Sequence, residues 1–228
     1  MIVKKYKSEV VSVENPIPDI RTVTLRPLEK AYKYNPGQFL HLALDEYDPA
    51  QQWPESRCFS MQSSPDQETI RITFAAKGRF TERMARELVP GKVIHVKLPY
   101  GDIFSAEHDK DRSVFVAGGT GITPFLSLFT SGDFPAYKNP KLYFGVRNAS
   151  HQLYAADLDK ARGLNSSFTV TLLDEEKDGR LDINKIFSEN GPSAVYFISG
   201  PPVMIKNFKA ALAAGGVPAE NIRTDDWE

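Results

Sequence analysis

Cysteine is nearly absent: Cys58 is the only one in 228 residues. That excludes an internal disulfide, a disulfide-stapled scaffold, and any iron–sulfur or zinc site built on four thiolates of this sequence. Histidine is scarce too. His41, His95, His108 and His151 never recur at i, i+3 or i, i+4, so the spacing offers no histidine metal centre. Neither sign of charge is in excess. The 28 basic and 29 acidic residues leave a net charge of −1, whereas a nucleic-acid-binding domain usually reads as basic. Long apolar runs are missing as well. The longest uncharged stretch, 113–132, carries Gly118, Gly119, Gly121 and Pro124, a load of backbone breakers that a membrane helix does not bear. The opening MIVKKYKSEV is charged and no apolar stretch follows it. No signal peptide, membrane or nucleic-acid partner is expected, and the protein reads as cytoplasmic.

What is present is the composition of a globular chain. Hydrophobic residues make up 41%, and the length suits one to two domains, leaning towards two. The first half alternates with period two. Val23 and Leu25, Ile70, Ile72 and Phe74, and Ile94, Val96 and Leu98 each point one way between polar neighbours. Turn signals at Asn35-Pro36-Gly37 and Pro90-Gly91 separate them, which predicts an antiparallel barrel or sandwich. One helix interrupts it, with Thr81 as cap, Met84, Ala85 and Leu88 facing inward, and Pro90-Gly91 as its stop. The second half alternates apolar strands (114–117, 142–146, 168–173, 195–199) with helical segments near 123–130, 151–162, 182–189 and 202–214. That order means a parallel sheet covered on both faces. The polar run SAEHDKDR at 105–112 is the natural linker, giving domains 1–106 and 107–228.

Two loops carry the first chemistry. Gly118-Gly119-Thr120-Gly121-Ile122-Thr123-Pro124 follows a buried strand and opens a helix. Gly119 and Gly121 let the backbone approach a ligand that a Cβ would repel. Thr123 suits the helix N-cap and Pro124 the first helical position. Free N–H groups and the positive helix end then face a pyrophosphate. The third glycine of the dinucleotide fingerprint is absent, and a tight turn without a ligand has the same residues. Ser199-Gly200-Pro201-Pro202 repeats the strand–loop–helix setting at the same sheet edge, where parallel sheets bind ligands. In the first half, Arg57-Cys58-Phe59-Ser60 offers a guanidinium to fork a phosphate, an aromatic to stack and a hydroxyl for a ring edge. An ordinary strand end would also fit. Cys58 reads as a small core-side residue and His95 as an unremarkable outward one.

RCFSMQSSP (57–65), KGRFTERM (77–84), LPYGDIF (98–104), AGGTGITPF (117–125) and SGPPVM (199–204) together resemble the ferredoxin–NADP reductase family in order and spacing, over nearly the whole chain. The resemblance implies a six-stranded flavin-binding β-barrel followed by an α/β nucleotide domain. It implies that Arg57 binds the pyrophosphate of FAD (FMN being less suited). Phe59 takes a place often held by tyrosine at the flavin ring, and Ser60 lies near the hydride-accepting nitrogen. Gly78, Arg79, Phe80 and Thr81 supply pyrophosphate-binding N–H groups. Gly119, Thr120, Gly121, Thr123 and Pro124, with Gly200 and Pro201, form the nicotinamide-nucleotide site. Ser199 stands where many relatives carry cysteine beside the nicotinamide, and Trp227 matches a terminal aromatic that lies on the flavin.

Arg147 ends a strand with no ribose-binding acid beside it, which suits the 2′-phosphate of NADP(H) over NAD(H); a solvated loop arginine is the alternative. Arg79, Arg83 and Arg86 interleave with Glu82 and Glu87 as a solvated helix face. The function so implied is hydride transfer from NAD(P)H to FAD and onward electron transfer to a separate acceptor, a ferredoxin, a flavodoxin or a small molecule. A free-flavin reductase and a non-catalytic docking subunit are the other readings.

Overall fold

The structure is a computed structural model that describes residues 2–225. The chain divides into two compact units between Asp102 and Ile103, four residues before the boundary drawn from the sequence.

The first unit holds strands β1 (Lys4–Ile17), β2 (Ile20–Pro27), β3 (Phe39–Ala43), β4 (Ser56–Ser60) and β5 (Ile70–Ala75), helix α1 (Arg79–Glu87), and β6 (Val93–Tyr100). The six strands form one antiparallel sheet in the order β4-β3-β6-β1-β2-β5. Its two edges meet just past β4, where the Gln62 N–H donates to the Arg71 carbonyl at 2.8 Å. The period-two residues all face the enclosed core: Val23, Leu25, Ile70, Ile72, Ile94, Val96 and Leu98 are fully buried.

The sequence reading passed over β1 because its alternation is disguised. Tyr6, Ser8 and Val10 point inward between lysines and glutamate, and the buried Ser8 is satisfied by the Tyr32 hydroxyl at 2.8 Å. Helix α1 packs Phe80, Met84 and Leu88 into the same core. It begins earlier than expected. Gly78 is the cap residue, and Thr81 lies a turn inside, its hydroxyl accepting the N–H groups of Lys77 and Gly78 at 3.1 Å each. Thr81 therefore braces the start rather than capping it.

The second unit holds β7 (Ser113–Gly118), α2 (Thr123–Phe129), β8 (Lys141–Val146), α3 (Ala155–Leu164), β9 (Thr169–Asp174), α4 (Glu175–Asp178), α5 (Ile183–Asn190), β10 (Val195–Ser199), α6 (Pro202–Ala214) and β11 (Ile222–Thr224). All strands are parallel, in the order β11-β10-β7-β8-β9. Successive residues of β7 serve opposite cores. Phe115 joins Phe125, Phe129, Phe144 and Phe197, while Val114 and Val116 join Tyr196, Ile198, Ile205 and Leu212. A strand buried on both faces must be apolar throughout, which is why these strands read as continuous runs.

The polar stretch 105–112 is tied into this unit rather than hanging free. Arg223 donates to the carbonyls of Ala106 and Glu107 at 2.8 Å each, and His108 bonds Tyr137 at 2.7 Å. Backbone carbonyls do the holding, so polar side chains give no sign of it. Among the described residues, no helix is long and apolar enough to cross a membrane.

Candidate functional site

In the first unit, β4 pairs with β3 so that Arg57 lies opposite Leu42 and Phe59 opposite Leu40. Residues 57 and 59 thus share the inner face of the sheet. Arg57 stands at its rim, where its guanidinium lies over the Phe80 ring of α1 at 5.0 Å, a cation–π contact. Phe59 goes deeper. It is 8% exposed and its ring leans on Phe74 at 5.9 Å, so the stacking role implied for it falls on a ring almost wholly enclosed in the core. Ser60 is equally buried.

Cys58 takes the opposite face. It is not core-side, because alternate strand residues face opposite ways and the inner face is already occupied. Its Sγ lies 3.5 Å from His41 Nε2. Burial pushes the thiol's pKa up despite the nearby Lys97 and Arg57, which argues against a thiolate nucleophile.

The first-turn N–H groups of α1, at Arg79, Phe80 and Thr81, have no acceptor four residues back; the first helical bond is Glu82 N–H to Gly78 carbonyl at 2.8 Å. Phe80 pins this helix end over the core. The guanidiniums of Arg57 and Arg79 and these amides form one cationic, donor-rich cluster, the chemistry that a phosphate needs. Glu55, which the sequence reading did not single out, joins both arginines: it lies 3.0 Å from Arg57 Nη2 and 3.2 Å from Arg79 Nη2. An acid two residues before the arginine was the available signal. The other arginines of α1 behave as a solvated face. Arg83 pairs with Asp45 and with Glu87, the latter at 2.7 Å.

In the second unit, Ser199 of β10 lies in register with Ala117 of β7. The two glycine loops are therefore neighbours at the carboxyl edge, at the point where the chain's strand order reverses. Gly119 has φ +55°, and nothing lies within 4 Å of where its Cβ would be: a cradle open to a ligand. Gly121 is different. A Cβ there would stand 2.5 Å from the Cα of Gly200, so this glycine is required by the other loop's backbone. Thr123 is not the N-cap. A 3-10 turn over Gly119–Ile122 runs straight into α2, and the Thr123 hydroxyl donates back to the Thr120 carbonyl at 2.9 Å. Thr123 and Pro124 are both buried. Pro201 precedes α6 at the surface. Ser199 is 3% exposed and its hydroxyl donates to Asp225 at 3.3 Å.

Arg147 is exposed at the carboxyl end of β8. Acids absent from its own strand arrive from the next one. Val146 is in register with Asp174, the Glu176 N–H donates to the Arg147 carbonyl at 3.2 Å, and the Glu176 carboxylate accepts from Asn148 at 2.9 Å. Trp227 lies outside the described residues.

Comparison with known proteins agrees with this layout. Residues 115–210 match the model of the oxidoreductase NAD-binding domain. The chain is 27% identical to terephthalate 1,2-dioxygenase reductase component 1 of a Comamonas species, over 97% of this chain and 68% of that protein. It is 31% identical to the ferredoxin–NAD(P)(+) reductase component of the naphthalene 1,2-dioxygenase system of Pseudomonas putida, over 72% of this chain and 48% of that one. The chain thus spans about half to two-thirds of these curated relatives. A ferredoxin NADP+ reductase from Neisseria gonorrhoeae, solved with bound FAD and NADP, superposes with a TM-score of 0.78 at 18% identity, over 97% of each chain. Sequence motifs, strand order and relatives converge: residues 115–210 match an oxidoreductase NAD-binding domain, and the chain as a whole is similar to reductases of the ferredoxin–NADP reductase type.

Proposed function

We propose that the chain is a reductase that draws electrons from a reduced nicotinamide nucleotide into FAD and passes them to a separate acceptor, a ferredoxin-type or flavodoxin-type protein. The observation that carries this reading is the open, left-handed Gly119 on a loop braced by Gly121 against Gly200. A backbone shaped and braced in that way suits a pyrophosphate held by first-turn N–H groups. Bound FAD would supply the hydride-accepting ring and the onward electron release. The protein's part is to bind and orient. Arg57, Arg79 and the first turn of α1 would hold the flavin's phosphates, with Phe80 bracing Arg57 from beneath. Gly119, Thr120 and Gly121, with Gly200 and Pro201, would hold the nucleotide. The single cysteine leaves these residues unable to build a four-thiolate cluster, which favours an acceptor carried elsewhere.

For the electron donor, the arginine-based lean towards NADPH meets an opposing observation. The turn 174–178 puts Asp174 in register with Val146 and ties Glu176 to Arg147 and Asn148. A 2′-phosphate there would face these two carboxylates, whereas a ribose hydroxyl can donate to one. We therefore favour NADH. The test is direct: purify the chain, identify the flavin extracted from it, and titrate it with NADH and with NADPH using ferricyanide as acceptor. A yellow protein that retains FAD through gel filtration and oxidises NADH supports the reading. A colourless protein, or one that releases its flavin on gel filtration, points to the free-flavin alternative. A chain with no NAD(P)H oxidation points to a docking subunit.

A further inference from the structure

Glu55 stands immediately before β4 and links its start to the start of α1. Its carboxylate accepts from Arg57 Nη2 at 3.0 Å and from Arg79 Nη2 at 3.3 and 3.2 Å on its two oxygens. Arg57 is otherwise held in place without it: Nη1 donates to the Ser56 carbonyl at 2.8 Å, and the guanidinium plane rests over Phe80 at 5.0 Å. Arg79 is held differently: its side chain is 88% exposed, and among the described residues Glu55 is its only ion-pair partner. Two cations and one anion therefore meet at the rim of the sheet, next to the positive end of a nine-residue helix.

We propose that Glu55 is a built-in competitor for the phosphate end of the flavin, setting how tightly the chain holds phosphorylated flavins. This rests on the reading of Arg57 and Arg79 as phosphate ligands. The carboxylate occupies the guanidinium edges that a phosphate oxygen would use, so a phosphate gains those donors only by displacing Glu55. The cluster's net charge is +1 with the carboxylate and +2 without it. Both ion pairs are exposed, and exposed pairs are weak. The competition is therefore mild, a tuning of affinity rather than a block. A support role predicts the opposite sign: were Glu55 needed to aim Arg57, removing its charge would loosen the flavin. The Ser56 and Phe80 contacts argue against that need.

The experiment is equilibrium dialysis of the full chain, as wild type, Glu55→Gln and Arg57→Ala, against FAD, FMN and riboflavin at two ionic strengths. On the exposed-ion-pair scale, Glu55→Gln binds FAD and FMN about two- to tenfold tighter at low salt. The gain shrinks at high salt. Riboflavin, which carries no phosphate, binds Glu55→Gln as it binds wild type. Unchanged or weaker FAD binding by Glu55→Gln, or an equal change for riboflavin, overturns the proposal while leaving the flavin site in place. If Arg57→Ala holds FAD as tightly as wild type, or if no flavin binds at all, the phosphate-site reading itself has failed and the proposal falls with it. Circular dichroism of the variants guards against misfolding, and because Glu55 is exposed the Gln variant is expected to match wild type.

Discussion

Gly121 and Gly200 meet backbone to backbone: a Cβ on the first would lie 2.5 Å from the Cα and N of the second. The loop after β7 and the loop after β10 are thus one packed unit, not two independent turns. Gly119, two residues away, is held at φ +55° with open space before it. Within four residues, one glycine is needed for a neighbour and another for a backbone shape.

The two substitutions should separate accordingly. Gly121→Ala must push the loops apart, an overpacking cost of about 1–3 kcal/mol. It is expected to lower the melting temperature and to raise the KM for NADH at least tenfold, with flavin content unchanged. Gly119→Ala meets no neighbour but strains a left-handed residue by about 1–2 kcal/mol. Its effect on KM should be large relative to its effect on melting. If both variants keep wild-type nucleotide kinetics, the loop pair is structural only.

Arg57 and Phe59 share a strand face but should fail in different ways. Arg57→Ala removes a charge-assisted bond to phosphate worth about 1.5–3 kcal/mol, which weakens FAD binding roughly ten- to 150-fold with little loss of stability. Phe59→Ala empties a buried site and is expected to cost about 3–5 kcal/mol of stability. Chemical denaturation with parallel flavin titration checks both. A stable Phe59→Ala that has lost only flavin affinity would restore the ring-stacking role that its burial argues against.

These contrasts show what was legible in the sequence. Apolar positions with a strict period, such as Ile70-Ile72-Phe74, and doubly buried runs, such as Val195–Ser199, declared the type of each sheet. β1 did not, because its inward row includes a serine satisfied by Tyr32, a partner 24 residues away. At the candidate site, the motifs pointed to loops and helix starts but not to what each side chain contacts. Thr81 and Thr123 both look like helix caps, yet one braces from inside the first turn and the other bonds backwards. Glycine type alone cannot separate Gly121 from Gly119, since the reason for the first lies 79 residues further on, at Gly200. The acids beside Arg147 were hidden for the same cause: parallel neighbours come from distant sequence.

The acid-rich turn makes nucleotide choice testable. Glu176 is the acid tied by hydrogen bonds to both Arg147 and Asn148. Removing its charge leaves Arg147 with less opposition. Glu176→Ala is expected to raise the ratio of kcat/KM for NADPH over NADH by about three- to tenfold, the scale of one exposed charge contact. Arg147→Ala in the same background should reverse the gain. A ratio indifferent to both substitutions removes this edge of β8 and β9 from nucleotide recognition.

The last prediction concerns acid. His108 lies between a carbonyl and a phenol: Nδ1 is 2.9 Å from the Ala106 carbonyl and Nε2 is 2.7 Å from the Tyr137 hydroxyl. A carbonyl can only accept, so Nδ1 carries the proton. Nε2 is then the acceptor, and Tyr137 donates to it. Burial keeps the Tyr137 phenol protonated by raising its pKa. Adding a second proton to His108 would reverse the Tyr137 bond, taking away the acceptor of the phenol proton, and charge a ring packed edge-on against Phe197 at 5.1 Å. Burial accordingly pushes its pKa below the ordinary 6.5; the Arg223 and Lys110 charges push the same way, while the Ala106 bond and Asp109 oppose them. The sign follows. Between pH 6.5 and the lowered folded-state value, the unfolded chain binds a proton that the folded chain refuses, so stability is full above pH 6.5 and falls as pH drops through this window. His41 and His95 are shifted down by burial as well and add to the slope, but they belong to the first unit. His108→Gln can keep both hydrogen bonds without titrating. Melting temperatures from pH 7.5 to 5 should therefore fall for wild type and fall less steeply for His108→Gln. A slope left unchanged by the substitution would show that His108 does not hold the 104–109 segment in its neutral form.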